Sequence, residues 1–166
     1  MGLASPSRVA IFVDVQNVYY TTKQAFGRHF DYNAFWAAAT RERQVVKALA
    51  YAIDRGDDRQ RQFQNILRGI GFDVRLKPYI QRSDGSSKGD WDVGIAIDVM
   101  DHAENVDVVV LVSGDGDFAL LVDRIRQKHG VKVEVHGVEA LTAQALVRSA
   151  STFFPIERES LLSGGA

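Results

Sequence analysis

The chain has 166 residues, 46% of them apolar, which is enough for one sizeable core and fits a single domain. Twenty basic residues against 21 acidic ones, net charge −1, exclude the overall cationic excess usual in proteins that grip nucleic-acid backbones, and leave only local patches for that purpose. The absence of cysteine excludes disulfides and thiolate metal sites and fits a reducing, cytoplasmic setting.

The opening MGLASPSRVAIFVDV holds an apolar stretch too short and too polar-flanked for a secretory or membrane segment, so residues 1–7 read as a flexible terminus and no membrane partner is expected. Val9–Val15 (VAIFVDV) is nearly continuous, β-branched and apolar, the pattern of a central strand covered on both faces. Helical spacing follows from Val18 to about Phe26 and, after Gly27, from Tyr32 to Ala39, with Asp31 placed to cap the second helix. Val45–Ile53 reads as a strand. Asp57–Ile70 reads as a helix, with Phe63, Ile66, Leu67 and Ile70 on one face and Gly71 as its stop.

Asp73–Ile80 reads as a further strand, and QRSDGSSKGDW as a Gly/Ser-rich loop. In Asp92–Ala103 the apolar residues at 93, 96, 97, 100 and 103 suggest a helix with one buried face. Val106–Val112 is a second all-apolar strand, Phe118–His129 a helix closed by Gly130, Val131–Val135 a strand, and Leu141–Ser149 a last helix. FFPIERESLL reads as an edge strand, which Pro155 suits, with a homodimer contact as the alternative; the LLSGGA end reads as disordered. Strands alternating with helices predict an α/β fold built on a mainly parallel sheet, because parallel neighbours need crossover connections.

In such a sheet, ligands bind beyond the carboxyl ends of the strands, where strand order reverses. Asp14 stands at the end of the first strand with Asn17 three residues on, while VLVSGDGDF places Asp115 and Asp117 after the other all-apolar strand. If those strands are neighbours, three carboxylates converge, and Asp90 or Asp92 adds a fourth. Crowded carboxylates repel unless one protonates or a cation sits among them, and Mg²⁺ or Mn²⁺ suits a few carboxylates plus a substrate phosphate. Gly114 and Gly116 are expected to let the backbone turn tightly and approach a ligand. Each acid taken singly is equally well explained as a helix cap.

Other chemistries lack their residues. His29, His102, His129 and His136 share no ligand spacing; Ser113, followed by Gly114, is not set in the Gly-x-Ser-x-Gly of a nucleophile elbow; there is no Walker or GxGxxG sequence; and Asp14-Val15-Gln16 lacks the second aspartate of aspartyl-phosphate phosphatases.

Taken together, FVDVQN, KGDWDV and VSGDGDF resemble the three signatures of the NYN-domain family, in its LabA-like bacterial branch of the PIN-like nucleases, over residues 8–156, with 157–166 as a tail. The resemblance implies a single-domain, three-layer PIN-like and Rossmann-like fold and a metal-dependent ribonuclease acting on RNA, single-stranded by the same likeness. It implies that Asp14, Asp92, Asp115 and Asp117 form the metal-binding, catalytic cluster, that Asn17 orients a water or phosphate, and that Ser113 lies beside the site. Lys88 is a candidate phosphate contact, with a solvated role as the alternative. Asp98 also recurs in such proteins, but six residues past Asp92 it lies about 9 Å further along the helix and reads as a supporting acid. Lys77, Arg82, Lys88, Lys23 and Arg28 are candidate backbone contacts, and Tyr19, Tyr20, Tyr79 and Trp91 candidate stacking platforms, each equally readable as an ordinary surface or core residue. A binding module of this fold without turnover, and a nuclease acting on DNA, are the alternatives.

Overall fold

Ser7–Asp14 (β1) is the centre of the molecule because it has no polar residue to show to water between Val9 and Val13. Val9, Ile11 and Val13 enter one core and Ala10 and Phe12 the other, all five fully buried. The period-two alternation of a strand thus feeds two layers of helices at once. The computed structural model describes residues 6–78, 80–81, 87–88 and 91–163, with backbone only at 78, 80–81 and 87–88.

After β1 come helices Val15–Phe26 (α1) and Tyr32–Thr40 (α2), strand Arg43–Asp54 (β2), helix Asp58–Ile70 (α3) and strand Asp73–Pro78 (β3). Ile80–Gln81 (β4) and Ser87–Lys88 (β5) pair antiparallel, whereas the sequence reads Ile80 as the end of the preceding strand and the residues from Gln81 on as a loop. Helix Asp92–Ala103 (α4), strand Val108–Val112 (β6), helix Ala119–His129 (α5), strand Lys132–Gly137 (β7), helix Gln144–Ser149 (α6) and strand Thr152–Pro155 (β8) complete the order. The main sheet runs β3-β2-β1-β6-β7-β8, and every neighbouring pair is parallel. The chain works outward from β1 to β3, returns past β1 to β6, and works outward again to β8. The switch point of this α/β sheet therefore lies between the two all-apolar strands. Among the described residues, no helix is long and apolar enough to cross a membrane.

Three further expectations change. The buried face of α4 is Ile95, Val99 and Ala103, while Val93, Ile97 and Met100 are 71%, 54% and 46% exposed. The buried stripe is the one that continues back, at helical spacing, to Asp92. The C-terminal segment is also ordered beyond β8: Leu161 is buried and bridges Phe30, and Leu162 N donates to His29 O while its carbonyl accepts from Arg28 Nε at 2.9 Å. The segment is held because the α1–α2 connection offers it unpaired backbone groups and an apolar seat. At the other end, Ser7 already belongs to β1.

Candidate metal centre

Val13 of β1 and Val112 of β6 are register partners, so the residues that follow them, Asp14 and Ser113, leave the sheet side by side. Ser113 Oγ donates to Asp14 Oδ2 at 3.2 Å, and Asp14 Oδ1 accepts from Asn17 N at 3.3 Å, which makes Asp14 the cap of α1. Ser113 Oγ also accepts from Asp115 N at 3.2 Å. Asn17 Oδ1 accepts from Gly114 N at 2.9 Å. Both loops are thereby tied together by side chains that are themselves fixed, Asp14 being 8% and Ser113 1% exposed.

Asp115 caps the short turn Gly116–Phe118, its Oδ1 accepting from Asp117 N at 2.9 Å. Asp92 opens α4 from the opposite side. Among the described residues, Asp92, Asp115 and Asp117 each bring a carboxylate oxygen within 4.8 Å of the other two. Asp14 stands outside this trio and reaches it through the Ser113 hydroxyl. Capping and convergence are thus one arrangement: the hydrogen bonds that end the loops also aim the acids. Two unit charges at 4.8 Å repel by about 1 kcal/mol in water and about 3.5 kcal/mol at an effective dielectric of 20. A divalent cation would remove that cost, and three carboxylate donors are the hard oxygen set that Mg²⁺ and Mn²⁺ prefer.

Asp98 is turned to the sheet, accepting from the buried Tyr51 hydroxyl at 2.8 Å. Burial, then this bond to Asp98, push the Tyr51 phenol far above its ordinary pKa. The Tyr51 ring lies 5.3 Å from Trp91, whose indole Nε1 donates to Ala52 O at 2.9 Å. Asp98 therefore supports the start of α4 through Tyr51 and Trp91 rather than joining the acids. Ser113, buried and engaged on both sides, works as a brace. Asn17 does too, since its carbonyl oxygen is taken up by Gly114 N.

Gly114 and Gly116 are needed for a reason other than the expected one. Neither has a positive φ; a Cβ on Gly114 would lie 2.7 Å from Leu141 O, and one on Gly116 would lie 2.8 Å from Ala143 Cβ. The close approach is to the 141–143 segment of the chain itself, and Ala143 N donates to Gly114 O at 3.1 Å.

Of the basic candidates, Lys77 lies over the Trp91 ring at 4.6 Å and Lys23 over Tyr19 at 5.4 Å. Arg28 is bound to the C-terminal segment. The Lys88 side chain, Tyr79, Arg82 and Asp90 lie outside the described residues. The sequence did not disclose a cleft of about 840 Å³ between α1 and α3, whose walls include Val15, Gln16, Tyr19, Tyr20, Arg55 and Arg59. The exposed Tyr19-Tyr20 pair and the arginines of DRGDDR were its signals, but they come from different elements. Buried Tyr32 also lines the cleft, and burial, with the Asp14 charge adding to it, raises its hydroxyl pKa.

The NYN domain model matches residues 8–157. The chain is 34% identical to the Low amplitude and bright protein LabA of Synechococcus elongatus, over 81% of this chain and 77% of that protein. It is similar in structure to a protein of unknown function from Vibrio parahaemolyticus, with a TM-score of 0.93, 57% identity, and coverage of 98% of this chain and 100% of that one. Ribokinase from Giardia lamblia, 13% identical with a TM-score of 0.50 over 93% of this chain and 59% of its own, shares the fold alone.

Proposed function

Because the chain belongs to the NYN domain family, a family of PIN-like nucleases, we propose that it is a divalent-metal-dependent ribonuclease that hydrolyses RNA phosphodiester bonds at the β1/β6 switch point. The observation that carries this reading is the meeting of Asp92, Asp115 and Asp117 within 4.8 Å, beside a buried Asp14. Asp92, Asp115 and Asp117 would hold Mg²⁺ or Mn²⁺, with Asp14 anchored next to them. When bound, the ion supplies Lewis acidity toward a phosphodiester and an activated water.

The chain's own residues set the frame for that chemistry. Asp14 keeps its carboxylate in place through Ser113 Oγ and Asn17 N. Asn17, by holding Gly114 N, fixes the distance between the β1 and β6 loops, so that the loop carrying Asp115 and Asp117 keeps its place beside Asp14. Such pre-set geometry is worth more to a reaction than the same groups on mobile loops, because no reorganisation accompanies the charge change.

Cleavage of a labelled oligoribonucleotide in Mn²⁺, with chelator as control, tests the reading. Asp14→Asn and Asp117→Asn are each expected to slow cutting by about a hundredfold or more while the fold persists. Equal rates in both variants and the parent rule the site out. A parent that binds RNA without cutting it replaces the enzyme with a binding module of the same fold.

A further inference from the structure

The cleft between α1 and α3 opens on the same carboxyl edge of the sheet as the acids, and its wall begins with Val15, the residue after Asp14. At about 840 Å³ it falls within the range of roughly 300–1,000 Å³ typical of small-ligand pockets, room for a nucleotide-sized group. Its lip is aromatic. Tyr19 and Tyr20 are 41% and 50% exposed with ring centroids 5.3 Å apart, and His29 stacks on Tyr19 at 5.7 Å with the planes 22° apart.

The charges along the cleft balance, Arg55 and Arg59 against Asp57 and Asp58. Asp57 is already committed, capping α3 by accepting from Gln60 N at 2.8 Å. A wall without net charge is poorly suited to gripping phosphates, whereas exposed rings offer a face to any flat, neutral group. Every nucleobase has such a face, and stacking on it does not depend on sequence.

We propose that this cleft is a base subsite, which takes one unpaired base of the strand against the Tyr19–Tyr20 pair, whose planes stand 77° apart so that one ring stacks on the base and the other meets its edge, while the neighbouring phosphodiester lies at the acidic cluster. The proposal rests on the ribonuclease reading for the identity of the strand. A base held in a duplex must first be unpaired and unstacked, at a cost in free energy, so the cleft favours single-stranded RNA.

Binding of a fluorescein-labelled oligouridylate by the 166-residue chain in EDTA, followed by anisotropy, tests the subsite without requiring turnover. Tyr19→Ala and Tyr20→Ala are expected to weaken binding by about tenfold or more each, and Tyr20→Phe, which keeps the ring, to bind as the parent does. Binding of a matched RNA duplex is expected to be equal in all four proteins. Alanine variants that hold the single strand as tightly as the parent, or lose the duplex by the same factor, overturn the subsite, as does a parent that binds no single strand. The two readings fail separately: tyrosine-dependent binding with no cleavage in Mn²⁺ sinks the nuclease and leaves the subsite, while cleavage indifferent to both tyrosines does the reverse.

Discussion

Asp117→Asn should make the metal-free protein more stable, although it removes a residue at the centre of the proposed site. Asp117 is exposed and faces Asp92 and Asp115 with carboxylate oxygens within 4.8 Å, so the water-like repulsion of about 1 kcal/mol per pair applies, or about 2 kcal/mol for the two. Against this stands the loss of a favourable negative charge in the first turn of Gly116–Phe118, worth about 0.3–1 kcal/mol. The backbone bond from Asp117 N to Asp115 Oδ1 is untouched. The net is a gain of about 1 kcal/mol, which for a domain of this size raises Tm by about 2–4 °C. Thermal unfolding in EDTA at low ionic strength measures it, and the gain should vanish in molar salt, where the screening length is about 3 Å. Adding Mn²⁺ should reverse the order: the parent gains about 2.7 kcal/mol at a hundredfold excess over Kd, and the variant, short of one ligand, gains less. A variant less stable than the parent in EDTA, together with a parent whose Tm ignores Mn²⁺, would refute the view that these acids are held together for a cation.

Asn17→Ala leaves the buried Gly114 N–H without its acceptor and is expected to cost about 1–3 kcal/mol in urea unfolding, with RNA cleavage falling alongside; an unchanged midpoint would show that the brace is not needed. Stability should also fall on mild acidification. Burial lowers the His136 pKa from 6.5 to about 4, so the neutral ring's contribution is fully present above pH 6.5 and is lost as pH falls toward 4. Between pH 7 and pH 5 this amounts to about 2 kcal/mol, and His136→Phe, seated between the rings of Phe35 and Phe154, should flatten that slope. Below the carboxylate range a second loss follows from Glu134: burial alone would raise its pKa, but the paired bonds from Arg43, both 2.8 Å, outweigh it and leave it lowered. Its contribution is therefore present above the ordinary glutamate pKa and lost below it, and Glu134→Gln should remove this lower limb.

The sequence disclosed what depends on neighbours along the chain or on burial of whole strands. VAIFV and VVVLV have no polar face, so both had to be central, and two central strands that end in acids bring those acids together. It was silent where the partner is remote. Arg43 and Glu134 meet across 91 residues, Gly114 is a glycine because Leu141 O comes close, and the cleft takes its walls from α1, the end of β2 and α3. In none of these does one local stretch mark the remote partner that completes it.

The face of α4 is the instructive case. Counting large apolar residues favours the Val93, Ile97 and Met100 stripe, yet Ile95, Val99 and Ala103 are the ones buried. Successive residues of a helix are about 100° apart, and 92, 95, 99 and 103 fall on one side of it. Rotating α4 to bury the larger stripe would swing Asp92 by about the same angle, away from Asp115 and Asp117. Trp91 opposes that rotation, because its indole is hydrogen-bonded to Ala52 O, and so does Asp98, which is bonded to Tyr51. The register of the helix is therefore set by polar contacts that aim an acid at the sheet edge, at the expense of apolar area left in water. Such a conflict between pattern and packing is expected where a fold is shaped by its site.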